Sequence, residues 1–233
     1  MKKHGKTVLF GIYAGLAIGF GGLLNIIANT FLTGDNAIWG RILGSLLFPV
    51  GLTLVCFLGL NLFTGKIGYV FDNKKEYLGF LGLVYLGNLI GALLLGLFCF
   101  LVFQKTELFW TNAAIATAKM SVPQFLPIMK QFAGAVLCGV CVYVAVFCYK
   151  TFKQVWLKII GIFIPIFLFV FFKFDHCIAN MYYFMFYPSC YGKGYTYLSL
   201  VIVTLGNSIG AIALNELIKA FKKLFLKNDK KSS

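Results

Sequence analysis

The chain has 233 residues, of which 60% are hydrophobic and 12% charged, too little polar surface to coat a soluble globule. A formal charge of +14 would suit a nucleic-acid partner if it were clustered, but the lysines fall between long uncharged runs. That pattern excludes a nucleic-acid reading and defines a polytopic membrane protein.

Charge-free runs occur at about 7–34, 42–65, 77–104, 131–149 and 194–215. Each approaches or exceeds the roughly 20 residues that a helix needs to cross the hydrocarbon core. A sixth, interrupted crossing surrounds His176. The first run is too long and too rich in glycine to read as a removed signal peptide.

The first span carries Ala14, Gly15, Ala17, Gly19, Gly21 and Gly22, small residues that let helices approach closely in lipid. The second ends in Gly59-Leu60-Asn61-Leu62-Phe63-Thr64-Gly65-Lys66, a polar patch between glycines. It reads either as a break at membrane depth or as a plain helix end. The third carries Leu86-Gly87-Asn88-Leu89-Ile90-Gly91-Ala92, and the sixth repeats it with one change as Leu205-Gly206-Asn207-Ser208-Ile209-Gly210-Ala211. Their offset, 206 − 87 = 119, also carries Ala14-Gly15 to Ala133-Gly134 and Asn61 to Asn180. The expected organisation is one transmembrane domain of two three-span repeats, about 1–110 and 111–218, followed by a basic tail at 219–233. An odd number of spans per repeat inverts the second copy.

Between the third and fourth spans, 112–120 is rich in alanine and is expected to form a short helix stopped before Pro123, with Lys119 at its end. The tail at 218–231 mixes lysine with Phe221, Leu224, Phe225 and Leu226, as expected of an amphipathic, lipid-contacting extension. Lys2, Lys3, Lys6, Lys74, Lys75, Lys150, Lys153, Lys158 and the tail lysines share one side of an alternating topology. The opposite side carries Arg41, Lys105, Lys119, Lys130 and Lys193. Both termini are therefore expected in the cytoplasm, with the basic side against anionic lipid.

The seven cysteines lie mostly within spans and read as small apolar residues, including the pair Cys138 and Cys141. No metal-ligand spacing occurs, His4 is remote from the membrane, and no serine or cysteine is clearly paired with a base. Neither a cofactor nor an enzymatic activity is expected.

The most informative stretch is Phe172–Phe184, which places Lys173, Asp175, His176 and Asn180 inside an apolar crossing. Ionisable groups at that depth normally face a cavity or pathway.

Phe174-Asp175-His176-Cys177-Ile178-Ala179-Asn180-Met181 resembles the fifth-helix motif of the formate/nitrite transporter family. Gly59–Gly65 resembles that family's Leu-Phe-Thr loop, Ala14–Gly19 its opening helix and Thr204–Ala211 its sixth helix. The resemblance implies an all-α, aquaporin-like protomer of six transmembrane helices with the second and fifth interrupted, assembled as a homopentamer in the plasma or bacterial inner membrane. It implies His176 as the central pore histidine with Asn180 beside it, and Leu62 and Phe63 as one apolar constriction with Thr64 next to the histidine. It also implies Phe48, Leu52 and Phe169 as the other constriction. Lys119 is similar to the family's vestibule lysine, with Lys130 the alternative. Two departures, Asn61 in place of the loop acid and Gly139 in place of a helix-four asparagine, remove polar character expected near the pathway. The permeant so implied is a small monovalent anion of a weak acid, formate or nitrite, with hydrosulfide and a neutral solute as alternatives. Lys119 would attract the anion, and His176 would protonate it or hydrogen-bond to it.

Overall fold

The computed structural model describes residues 3–120 and 123–229, so Lys2, Lys230 and Lys231 lie outside the described residues, as does the Ser121-Val122 step after Lys119. The elements in order are α1 Lys3–Phe31, α2 Ala37–Leu47, α3 Pro49–Phe57, α4 Glu76–Phe103, α5 Glu107–Ala118, α6 Phe125–Thr151, α7 Val155–Phe171, α8 Cys177–Phe186 and α9 Gly194–Asp229. Short 3₁₀ turns lie at Gly34–Asn36, Ile67–Asp72 and Pro188–Gly192. Among the described residues there is no strand.

Among the described residues five helical segments are long and apolar enough to cross a membrane: His4–Phe31, Gly34–Phe57, Glu76–Phe103, Phe125–Thr151 and Gly194–Leu224. Two shorter apolar helices, Val155–Phe171 and Cys177–Phe186, flank the stretch where the interrupted crossing is expected. The second span ends as a helix at Phe57, eight residues before the expected 65, because Gly59 turns the chain away. The alanine-rich helix begins at Glu107 rather than 112, since the Thr106 hydroxyl accepts a hydrogen bond from Phe109 N–H and caps it earlier.

Lipid supplies no hydrophobic force between helices, so close backbone contact decides packing. α1 lies against α4, and α6 against α9, as the two most extensive helix pairs. A β-carbon on Gly91 would stand 2.0 Å from Ile12 O, and one on Gly210 would stand 2.0 Å from Val136 O. Gly15 meets Asn88 O in the same way that Gly139 meets Asn207 O, each at 2.2 Å from a built β-carbon. Gly139 is therefore a helix-packing residue against α9.

The two interrupted spans end identically. At the end of α3, Gly59 N donates to Cys56 O and Leu60 N to Val55 O, with Gly59 at φ +64°. At the end of α7, Lys173 N donates to Val170 O and Phe174 N to Phe169 O, with Lys173 at φ +59°. Both are Schellman caps, which satisfy the last carbonyls of a helix stopped inside the membrane.

Two asparagines then hold the exposed backbone beyond each cap. Asn88 Oδ1 accepts from Phe63 N, while its Nδ2 donates to Asn61 O and Gly11 O. Asn207 Oδ1 accepts from Cys177 N, while its Nδ2 donates to Asp175 O and Ala135 O. The equivalences run Gly59 with Lys173, Asn61 with Asp175 and Phe63 with Cys177, an offset of 173 − 59 = 114. Gly15 and Gly139 differ by 139 − 15 = 124, and only α4 and α9 keep 119. A single offset thus mispairs two of its three landmarks. Asn61 corresponds to Asp175 and not to Asn180, which lies within α8, and Gly15 corresponds to Gly139 and not to Gly134.

Candidate functional site

His176 ends the break between α7 and α8, 2% exposed, and its ring serves as the N-cap of α8. Ala179 N–H donates to Nδ1 at 3.2 Å, and Nε2 lies 2.9 Å from Thr64 Oγ1. A neutral imidazole has one donor and one acceptor nitrogen. Because Nδ1 accepts, the ring proton sits on Nε2 and points to Thr64. The break of the fifth span and the loop of the second are thereby joined at one buried hydrogen bond.

Apolar side chains close around that pair. The ring of Phe169 stacks on the imidazole at 6.0 Å between centroids, and Phe48 meets Phe169 edge-on at 5.5 Å. Leu52 is 1% exposed beside them. On the Thr64 side Leu62 is buried, and Phe63 packs edge-on against Tyr85 at 5.0 Å. Phe48, Phe169 and His176 line a cavity of about 350 Å³. Leu52, Leu62, Phe63 and Thr64 lie outside its lining.

Lys119 lines this cavity, whereas Lys130 is exposed on α6 and does not. The Lys119 ammonium stands 3.1 Å from Asp175 Oδ1 and 3.5 Å from Phe174 O. Its backbone carbonyl accepts from Gln131 Nε2 at 2.7 Å and from Ser199 Oγ at 2.8 Å. Those bonds anchor the end of α5, so the charge is held beside the His176 loop rather than trailing in solvent. Asp175 is held in turn by Asn180 Nδ2 at 3.1 Å. Asn180 is fully buried and absent from the cavity wall, so it supports the loop from behind.

Several cavity-lining residues were not evident in the sequence. Arg41 donates through Nε and Nη2 to Phe171 O and lies over the Phe171 ring, which caps the last turn of α7 at the rim. Asn25, Ser45, Thr111 and Tyr183 also line the wall. A polar residue inside an apolar span was the available signal for Asn25; the rest required the packing.

The described residues contain no group of three or more His, Cys, Asp or Glu side chains arranged to hold a metal. A buried, capped imidazole at the meeting of two helix breaks, lining a cavity with Arg41, Lys119 and Lys173, defines a multi-pass membrane transport protein rather than a packed structural bundle.

The chain matches the formate/nitrite transporter family over residues 1–221 and belongs to it. It is 30% identical over 237 residues to a probable formate transporter of Methanothermobacter thermautotrophicus, covering 88% of this chain and 84% of that one. Among solved structures it is similar to a pentameric formate channel with formate bound, with TM-score 0.80, 25% identity and coverage of 96% and 98%. An FNT family ion channel superposes with TM-score 0.81 at 21% identity, covering 93% and 90%, which speaks to the fold alone.

Proposed function

We propose that this chain forms a channel or proton-coupled transporter for the small monovalent anion of a weak acid, formate or nitrite foremost. The observation that carries this reading is the single cavity lined by Lys119 together with Phe48, Phe169 and His176. A bare anion in dry apolar surroundings faces a penalty on the order of tens of kcal/mol, whereas its conjugate acid faces a small fraction of that. Lys119 concentrates the anion in the vestibule, the anion takes a proton there from the external water, and the acid passes the phenylalanines. The Nε2–H of His176 and the hydroxyl of Thr64 then serve as a hydrogen-bonding step between Phe169 and Leu62. With Nδ1 occupied by the α8 cap, the imidazole acts as a hydrogen-bond donor, and the proton comes with the permeant from the vestibule.

Under this reading 1–110 and 111–218 are inverted copies meeting at His176, supported by the matched caps and asparagines. Both termini face the cytoplasm on the strength of the lysine distribution, which sets the vestibule on the outer face. The protomer assembles as a homopentamer, as the similar formate channel does. The basic extension from 219 meets anionic lipid.

The test is flux in proteoliposomes for formate, nitrite, hydrosulfide, lactate and chloride at two external pH values. Formate uptake rises as external pH falls; it is lost in His176→Phe and requires higher formate in Lys119→Met, with pentamer assembly intact. Wild-type flux in His176→Phe removes the imidazole from the pathway. Hydrosulfide flux well above formate flux selects the alternative permeant.

A further inference from the structure

Two polar side chains in the vestibule have no use in the fold. Asn25 is 8% exposed and Tyr183 3% exposed, and both line the cavity with Lys119. Among the described residues no hydrogen bond engages the Asn25 carboxamide or the Tyr183 hydroxyl. A buried tyrosine hydroxyl ordinarily finds a partner, and a buried amide left unpaired is destabilising. Both groups are nonetheless held in place. The backbone carbonyl of Tyr183 accepts from Asn112 Nδ2 at 3.0 Å, and its ring packs on Tyr182 at 5.5 Å. A β-carbon on Gly22 would meet Tyr183 Cε1 at 3.4 Å, one helical turn along α1 from Asn25. A β-carbon on Gly44 would fall 2.7 Å from Asn25 Nδ2, so α2 is pared back where the carboxamide sits. The Lys119 ammonium lies 5.9 Å from the centre of the Tyr183 ring, on the same wall.

We propose that Asn25 and Tyr183 form a hydrogen-bond receptor beside Lys119 that holds a planar two-oxygen anion, a carboxylate or nitrite, in preference to a spherical one. The proposal deepens the transport reading and rests on it for its role in permeation. Two oxygens accept from an amide N–H and a phenol O–H that approach from α1 and α8, while the ammonium supplies the charge. A sulfur or halide anion is a weaker acceptor without two divergent sites, so the receptor confers selectivity at the vestibule rather than at the histidine.

The experiment pairs binding with flux. Line broadening of ¹³C-formate by the detergent-purified wild-type oligomer, Tyr183→Phe and Asn25→Asp reads the receptor without transport. Proteoliposome uptake of formate and hydrosulfide reads selectivity. Tyr183→Phe, which removes one oxygen from the interior, is expected to weaken formate binding five- to twentyfold and to raise its half-saturation equally. Hydrosulfide uptake stays within twofold of wild type. Asn25→Asp keeps the shape, places a carboxylate against the anion and abolishes binding. Unchanged formate binding in Tyr183→Phe, or an equal loss of formate and hydrosulfide uptake, overturns the receptor. Wild-type protein that binds formate through these residues but does not pass it refutes the channel reading and leaves the receptor standing.

Discussion

Replacing Asn207 by leucine probes the break around His176 without touching the cavity. Asn207 is fully buried and makes three bonds, from Cys177 N at 2.9 Å and to Asp175 O and Ala135 O at 2.8 Å each. Ala135 lies within α6, so its carbonyl keeps its intrahelical partner. The other two groups flank His176 and are left unpaired at membrane depth. Stranding a buried polar group costs about 1–3 kcal/mol, so two cost about 2–6 kcal/mol. Unfolding in mixed micelles gives the free-energy change, and stopped-flow formate flux reports whether the imidazole remains in register. Asn88→Leu is expected to cost the same, since it strands Phe63 N and Asn61 O. Ser208→Ala, whose hydroxyl only donates back to Thr204 O, should stay within about 0.5 kcal/mol. If Asn207→Leu costs no more than Ser208→Ala and conducts normally, these asparagines do not hold the breaks.

Thr64→Val removes the acceptor of His176 Nε2–H at constant size, and should lower formate flux about tenfold, or about 1.4 kcal/mol, and shift the ring's ¹⁵N resonances. Lys173→Gly relieves a positive φ of 59° at a residue other than glycine, so it should stabilise the protein by about 1 kcal/mol in the same unfolding assay. Gly210→Ala places a methyl group 2.0 Å from Val136 O and should prevent assembly on size exclusion. Gly79→Ala meets nothing within 4 Å and should be neutral or stabilising by up to about 1 kcal/mol.

Residue chemistry alone determined where the chain crosses the membrane, because about 20 apolar residues are a local property of each segment. It also marked the break at the Lys173–His176 polar cluster, whereas Gly59–Lys66 read equally as a break or a helix end. It pointed to a duplication through the repeated Leu-Gly-Asn heptad, but not to its register. From Gly15 to Gly59 is 59 − 15 = 44 residues and from Gly139 to Lys173 is 173 − 139 = 34, while the steps to Asn88 and Asn207 are 88 − 59 = 29 and 207 − 173 = 34. Unequal links shift each landmark separately, and only the packing of α1 on α4 and α6 on α9 reveals the true pairs. Tertiary structure likewise decided which lysine faces the cavity, because Gln131 and Ser199 fix the end of α5 while Lys130 remains on the surface. The meeting of Asn25 and Tyr183 in one cavity was decided the same way. Helices α1 and α8 carry them from positions 158 residues apart, 183 − 25, and the distance between two such side chains depends on helix contacts rather than on sequence spacing.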